Sequence, residues 1–264
     1  MSNSIIKLFQ IDAFTSELFK GNPACVMPLD NWLHDDLLLK IAKENNVSET
    51  AFFIKKNDHF YIRWFTPEIE MDLCGHATLA TAYCLKKHLN YNGDLVKFDS
   101  ISGELIVKYD KDYLQMDFPH RNPIRSELPK NIYDSLSIKP VEILKSRDYV
   151  LVYENEDQIK NIKIDKELFD KKNIDPGGVV ITAKGNNSDF VSRYFVPQCS
   201  FFEDPVTGST HCSLVPYWSK KLGKQKLKSI QLSDRGGEMF CIDKGNRVLI
   251  NGKAKTYSVG EVFL

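Results

Sequence analysis

Phe60-Tyr61-Ile62-Arg63-Trp64-Phe65-Thr66-Pro67 and Phe190-Val191-Ser192-Arg193-Tyr194-Phe195-Val196-Pro197 are two copies of one stretch, F-x-x-R-(W/Y)-F-x-P. Arg63 and Arg193 stand 130 positions apart (193 − 63), nearly half of the 264 residues. Each copy runs into an acidic segment and then a glycine that opens a run of small residues: Gly75-His76-Ala77-Thr78 in the first, Gly208-Ser209-Thr210-His211 in the second. Each run reads as a helix closed by paired lysines, Lys86-Lys87 and Lys220-Lys221. A period this long is no solenoid signal, since solenoid units are about 20 to 50 residues. It predicts two similar domains, each presenting a strand, an acidic turn and a helix N-terminus.

The first N–H groups of a helix have no intrahelical partner, and its aligned peptide dipoles leave partial positive charge there. Two such ends facing each other across a cleft would hold a small carboxylate, with acid and base residues on the same turns to move a proton. Composition fits a small substrate better than a polyanion. Lys+Arg and Asp+Glu are equal at 35 each, so no bulk field favours nucleic acid or an anionic membrane. The 42% hydrophobic and 27% charged residues are those of a soluble globular chain. Met1 to Phe14 reads as a strand and not as a signal peptide, and no run reaches the roughly 20 apolar residues of a membrane helix. A cytoplasmic location is expected, with the six scattered cysteines as thiols.

Working outward from the repeat, Ile5 to Ala13 reads as a strand, Gly21-Asn22-Pro23-Ala24 as a turn, and Leu33 to Asn45 as a helix stopped by Asn45-Asn46. Glu49 then falls where that helix hands over to an apolar strand, Ala51 to Ile54. Phe60 to Phe65 is apolar on both faces and reads as a central strand. Pro119, Pro123 and Pro129 mark a linker, dividing residues 1–118 from 119–264. Whether the last strand, Tyr257 to Phe263, pairs back with the first half is left open. Pro216 should kink or break the second helix.

His76 is a proton carrier if it faces a cleft and a capping or packing residue otherwise. Cys74 sits at a thiolate-favouring helix start. Cys74, His76, Cys84 and His88 resemble a metal quartet. A helix places the second pair some 15 Å from the first, however, so no metal site is expected from them. Asp204, in Glu203-Asp204-Pro205-Val206-Thr207-Gly208-Ser209, is at the least an ordinary helix-start carboxylate. With Glu49 and His76 it makes three proton-transfer groups on comparable hinges.

Asp12-Ala13-Phe14-Thr15, Gly21-Asn22-Pro23-Ala24, Ser48-Glu49-Thr50-Ala51-Phe52, Leu73-Cys74-Gly75-His76-Ala77-Thr78 and the Glu203–Ser209 segment follow the order and spacing of the PhzF-like isomerases. The resemblance spans nearly the whole chain. It implies a diaminopimelate-epimerase-like fold of mixed α/β (α+β) class. Two pseudo-symmetric domains would each wrap a barrel-like, mostly antiparallel sheet around a central helix, with the active site between them. It also implies isomerisation without a cofactor, and a homodimer. Glu49 resembles the family's catalytic acid/base. His76 and Asp204, and with them Gly75, Gly208 and Ser209, match positions lining its substrate site. Asn22 belongs to a motif packing near that site, and Cys74 aligns with the first of two catalytic cysteines in related epimerases. The second would fall near Thr207, which disfavours a cysteine-based amino-acid racemase. The reading from another class is a metabolite-binding or protein-interaction module that keeps the fold without turnover.

Overall fold

The computed structural model describes residues 4–57, 59–174, 177–199 and 201–264. The chain forms two compact units, 1–117 with 251–264, and 118–250.

In the first unit, β1 (Ile5–Ala13), β2 (Asn22–Leu29), α1 (Asp35–Asn45), β3 (Glu49–Lys56), β4 (His59–Phe65), β5 (Glu70–Met71), α2 (Gly75–His88), β6 (Leu95–Ser100), β7 (Gly103–Asp110) and β8 (Tyr113–Pro119) follow in order. The pairing runs β1–β2–β3–β4–β6–β7–β8, with β5 beside the far end of β4. Two pairs, β2–β3 and β4–β6, are parallel. Their connections carry α1 and α2, because parallel neighbours need a crossover. The closing strand of the chain, Ala254–Phe263, pairs antiparallel with β1 along its full length, which settles the question the sequence left open.

α2 is buried on every side. His76 to Ala82, Cys84 and Leu85 are all inaccessible, and the helix packs on β1, β2, β3 and the closing strand. A helix with no polar stripe has to be enclosed, and the sheet curls round it. α1 is the opposite case. Leu38, Ile41 and Ala42 face Met27, Phe52, Ile54 and Phe65, while Asn46, left-handed at φ 48°, ends the helix.

The second unit repeats this plan. β9 (Ile124–Arg125), α3 (Lys130–Ser135), β10 (Glu142–Lys145), β11 (Tyr149–Val152), α4 (Glu156–Asn161), α5 (Lys166–Phe169), β12 (Val179–Lys184), β13 (Phe190–Phe195), β14 (Glu203–Asp204), a 3₁₀ turn (Gly208–Thr210), α6 (His211–Leu222), β15 (Lys226–Gln231), β16 (Gly237–Asp243) and β17 (Arg247–Gly252) precede the closing strand, β18. β11–β12 and β13–β15 are its parallel pairs, matching β2–β3 and β4–β6. The repeated arginine does the same work twice. Arg63 clamps Glu70 through two bonds of 2.6 and 2.7 Å, and Arg193 clamps Glu203 through two of 2.7 Å. Each guanidinium also lies 5.1 Å from a phenylalanine ring, Phe65 or Phe195. Bidentate geometry of this kind fixes the acidic turn against the strand.

Three expectations are corrected. Asn22-Pro23-Ala24 is already strand; Gly21 makes the reversal, at φ +72° and with Ala13 O only 2.2 Å from where a Cβ would stand. β4 is only partly covered on its second face, since Tyr61 is exposed and Arg63 turns outward to Glu70 and Asp35, while Phe65 at its end is buried under α1. α6 continues through Pro216 to Leu222, because the Cys212 carbonyl that proline leaves unbonded accepts the Arg121 N–H at 2.9 Å.

Gly178 precedes β12 where a Cβ would meet the Tyr194 ring at 2.6 Å and Phe195 O at 2.7 Å. Gly178→Ala should cost about 1–3 kcal/mol by overpacking, read as a lower midpoint in thermal or urea unfolding.

Candidate acid–base site

Glu49 opens β3, pairing with Ala24 of the parallel strand β2, and Asn22 opens β2 two residues before Ala24. His76 is the second residue of α2. The curl of the sheet round α2 brings these three strand and helix starts together.

His76 Nε2 lies 3.0 Å from Glu49 Oε2. The approach lacks hydrogen-bond alignment, and neither buried atom has another hydrogen-bond partner among the described residues. On the other side of the ring, Nδ1 meets Asn22 Nδ2 at 3.4 Å and Cys74 Sγ at 3.5 Å. Ser48 Oγ donates to Asn22 Oδ1 at 2.8 Å. A hydroxyl can donate or accept, so Asn22 can turn either end to the imidazole and suit either of its protonation states. Asn22, Ser48, Cys74 and His76 are all buried, while Glu49 keeps 15% of its side chain accessible. The carboxylate is therefore the member of the cluster open to an incoming molecule.

Burial works against the charged form of His76, but the facing Cys74 and Glu49 outweigh it and hold the imidazole well above its usual range. Burial, reinforced by the Glu49 charge, pushes the Cys74 thiol up. Glu49, Cys74 and His76 each offer one ligand atom, all within 4.8 Å of one another. The quartet weighed from the sequence does not form. α2 is continuous to His88, whose Nε2 contacts Thr256 Oγ1 at 2.7 Å, and Cys84 is buried with its thiol pushed up to about 12.

In the second unit Thr207 stands where Cys74 stands in the first, one residue before the helix glycine. Its hydroxyl donates to Asp204, and its N–H donates to Gln231 Oε1 at 2.9 Å. Gln231 Nε2 in turn donates to the Asp204 carbonyl at 2.7 Å. Gly208 is buried and Ser209 half-buried at the 3₁₀ turn that opens α6. Tyr194, opposite Asp204 in the β13–β14 pair, donates to buried Asp148 Oδ1 at 3.0 Å. Burial raises the Asp148 carboxyl, although the Gly178 N–H also donates to it.

Sequence reasoning did not assign Ser48, Gln231, Asp148 or Tyr194. Ser48 and Tyr194 stood inside quoted motifs. Gln231 and Asp148 lie far along the chain from the groups they bond, with no local pattern to flag them.

The sequence profile of the PhzC/PhzF phenazine biosynthesis-like proteins matches residues 11–260. This chain belongs to that family. A relative named an uncharacterised isomerase, from Pseudomonas aeruginosa, is 44% identical, with 98% of this chain and 99% of its own covered. The human phenazine biosynthesis-like domain-containing protein is 36% identical over 94% of this chain and 96% of its own. The crystal structure of a PhzF-family protein from Enterococcus faecalis superposes with a TM-score of 0.94 at 42% identity, covering 99% of this chain and 100% of that one. A hydroxyproline epimerase from Agrobacterium vitis shares the fold alone, with a TM-score of 0.60 at 9% identity over 98% and 93% of the two chains. No helix among the described residues of this PhzC/PhzF-family chain is long and apolar enough to cross a membrane.

Because the folded pKa of His76 is raised above an unfolded value of about 6.5, its pairing contributes stability that is fully present below about pH 6.5 and lost as pH rises through the folded pKa. The difference in melting temperature between the wild type and His76→Gln should therefore shrink as pH rises above about 6.5.

Proposed function

We propose that this protein is a cofactor-independent isomerase that moves a proton on carbon within a small carboxylate-bearing metabolite, with Glu49 as the acid/base. The observation that carries the reading is the Glu49–His76 pair. Its facing atoms are buried, 3.0 Å apart, and without other hydrogen-bond partners among the described residues. Buried polar atoms left this way cost stability, and they cluster where a ligand completes them. Relatives at 37–44% identity that carry the name isomerase support the same class of reaction.

In this mechanism Glu49 removes a proton from carbon and becomes a carboxylic acid. It then returns the proton to another carbon of the same molecule. A single carboxylate delivers from the side on which it collected, so a 1,3- or 1,5-shift suits it better than an epimerisation, which needs a donor on the opposite face. Held charged by its neighbours, His76 offers an N–H to oxygen charge that develops as the C–H bond breaks. The N–H groups of Gly75 and His76, which have no intrahelical acceptor at the start of α2, are the natural seat for a substrate carboxylate. Asp204 and Ser209 occupy the corresponding frame of the second unit, and Asp204→Asn tests whether that copy takes part.

The test is an NMR screen of small amino and hydroxy acids with the protein in D₂O. A true substrate should gain deuterium at carbon, and Glu49→Gln should slow that gain about 10²- to 10⁴-fold. Unchanged exchange in Glu49→Gln, with activity lost instead on Cys74→Ala, would favour the thiol racemase. Ligand-induced thermal stabilisation with no deuterium incorporation would favour a binding module.

A further inference from the structure

Four buried side-chain atoms among the described residues lack a hydrogen-bond partner, and two of them are Glu49 Oε2 and His76 Nε2 of the site above. A third is the indole Nε1 of Trp64, a side chain with no exposed surface. We propose that Trp64 is a further ligand contact of that site, its indole N–H donating to an oxygen of the bound metabolite.

The strand register carries the placement. Trp64 stands directly opposite Ala51 in the antiparallel β3–β4 pair, and Glu49 lies two residues before Ala51. Residues two apart on a strand share a face, so Trp64 and Glu49 are diagonal neighbours on the same face. Such neighbours are about 7–8 Å apart, within reach of an aromatic side chain. The second unit displays that reach. Tyr194 holds the place of Trp64, opposite Val180, and its ring and hydroxyl come within 2.6 Å of where a Cβ would stand on Gly178, the counterpart of Glu49.

There the polar tip has a partner of its own, since the Tyr194 hydroxyl donates to Asp148 Oδ1 at 3.0 Å. The corresponding residue of the first unit is Ala24, whose side chain offers no acceptor. An indole N–H can only donate, and a buried donor left unbonded costs stability. One copy of the frame spends its donor inside the protein, and the other leaves it for a ligand. His76, held charged by its neighbours, is a second donor at Nε2. A ligand that completes both has to bring acceptors, which a carboxylate, carbonyl or hydroxyl oxygen supplies and an ammonium does not. Its way in is past Glu49, the partly open member of the cluster. That this ligand is a substrate rests on the function proposed above, whereas the contact itself does not.

NMR of the full-length protein with nitrogen-15 in its indoles tests the contact. Trp32, Trp64 and Trp218 give one indole signal each, assigned by its loss in Trp32→Phe, Trp64→Phe or Trp218→Phe, any two of which suffice. In the free protein the Trp64 proton should resonate upfield of that of Trp218, whose Nε1 donates to Thr182 Oγ1 at 2.9 Å. Acetate, a minimal carboxylate probe, should move the Trp64 signal downfield in a saturable way, and methylammonium should not. Trp64→Phe, which keeps a ring and removes the donor, should weaken acetate binding about tenfold, read on the His76 ring signals. A Trp64 signal that acetate leaves in place or that methylammonium moves as far, or an affinity unchanged in Trp64→Phe, would overturn the contact. Saturable movement of the Trp64 signal in a protein that puts no deuterium on carbon would keep the contact and remove the isomerase. Glu49-dependent deuterium exchange beside a stationary Trp64 signal would do the reverse.

Discussion

The complete enclosure of α2 is the constraint on which the first unit turns. From His76 to Ala82 the helix offers water no side chain, so its surroundings have to be supplied by sheet. Strands β1, β2 and β3 and the closing strand provide them, and the closing strand comes from the far end of the sequence to do so. Burying the helix whole also buries its N-terminus, and with it a histidine. Two strand starts, at Asn22 and Glu49, end up against that histidine because β2 and β3 run parallel and in register beside it.

An imidazole, a carboxylate and a thiol in so dry a place are expensive unless they satisfy one another. They do so only in part. Asn22 and Cys74 reach one ring nitrogen, while the other faces Glu49 at short range and poor alignment. A fully bonded cluster would be a structural brace. This one retains unspent capacity at the two atoms best suited to handle a proton, and Glu49 is the member with access to solvent.

The second unit keeps the same frame and changes its contents. Gly178 stands where Glu49 does, Thr207 where Cys74 does, and Asp148 in the place of Ala24. The arginine–glutamate clamp is preserved at full geometry in both copies, so the frame is held by the same bonds while its contents differ. Gly178 is small because Tyr194 crosses its position to reach Asp148.

The amino-acid order alone determined the duplication, the strand and helix at each repeat, and the placing of Glu49 and His76 at element starts. These are local or periodic signals: a repeated motif, alternation in strands, a stop at Asn46. It also carried five motifs specific enough to name the family. Only the tertiary structure decided that the last strand returns to β1, that α6 survives Pro216 through the Arg121 N–H, that β4 is only partly covered on its second face, and that Asn22, backed by Ser48, and Cys74 converge on one imidazole. Each of these depends on groups brought together across long stretches of chain or around a curled sheet. Hydrogen-bond partners at such separations leave no periodicity to read.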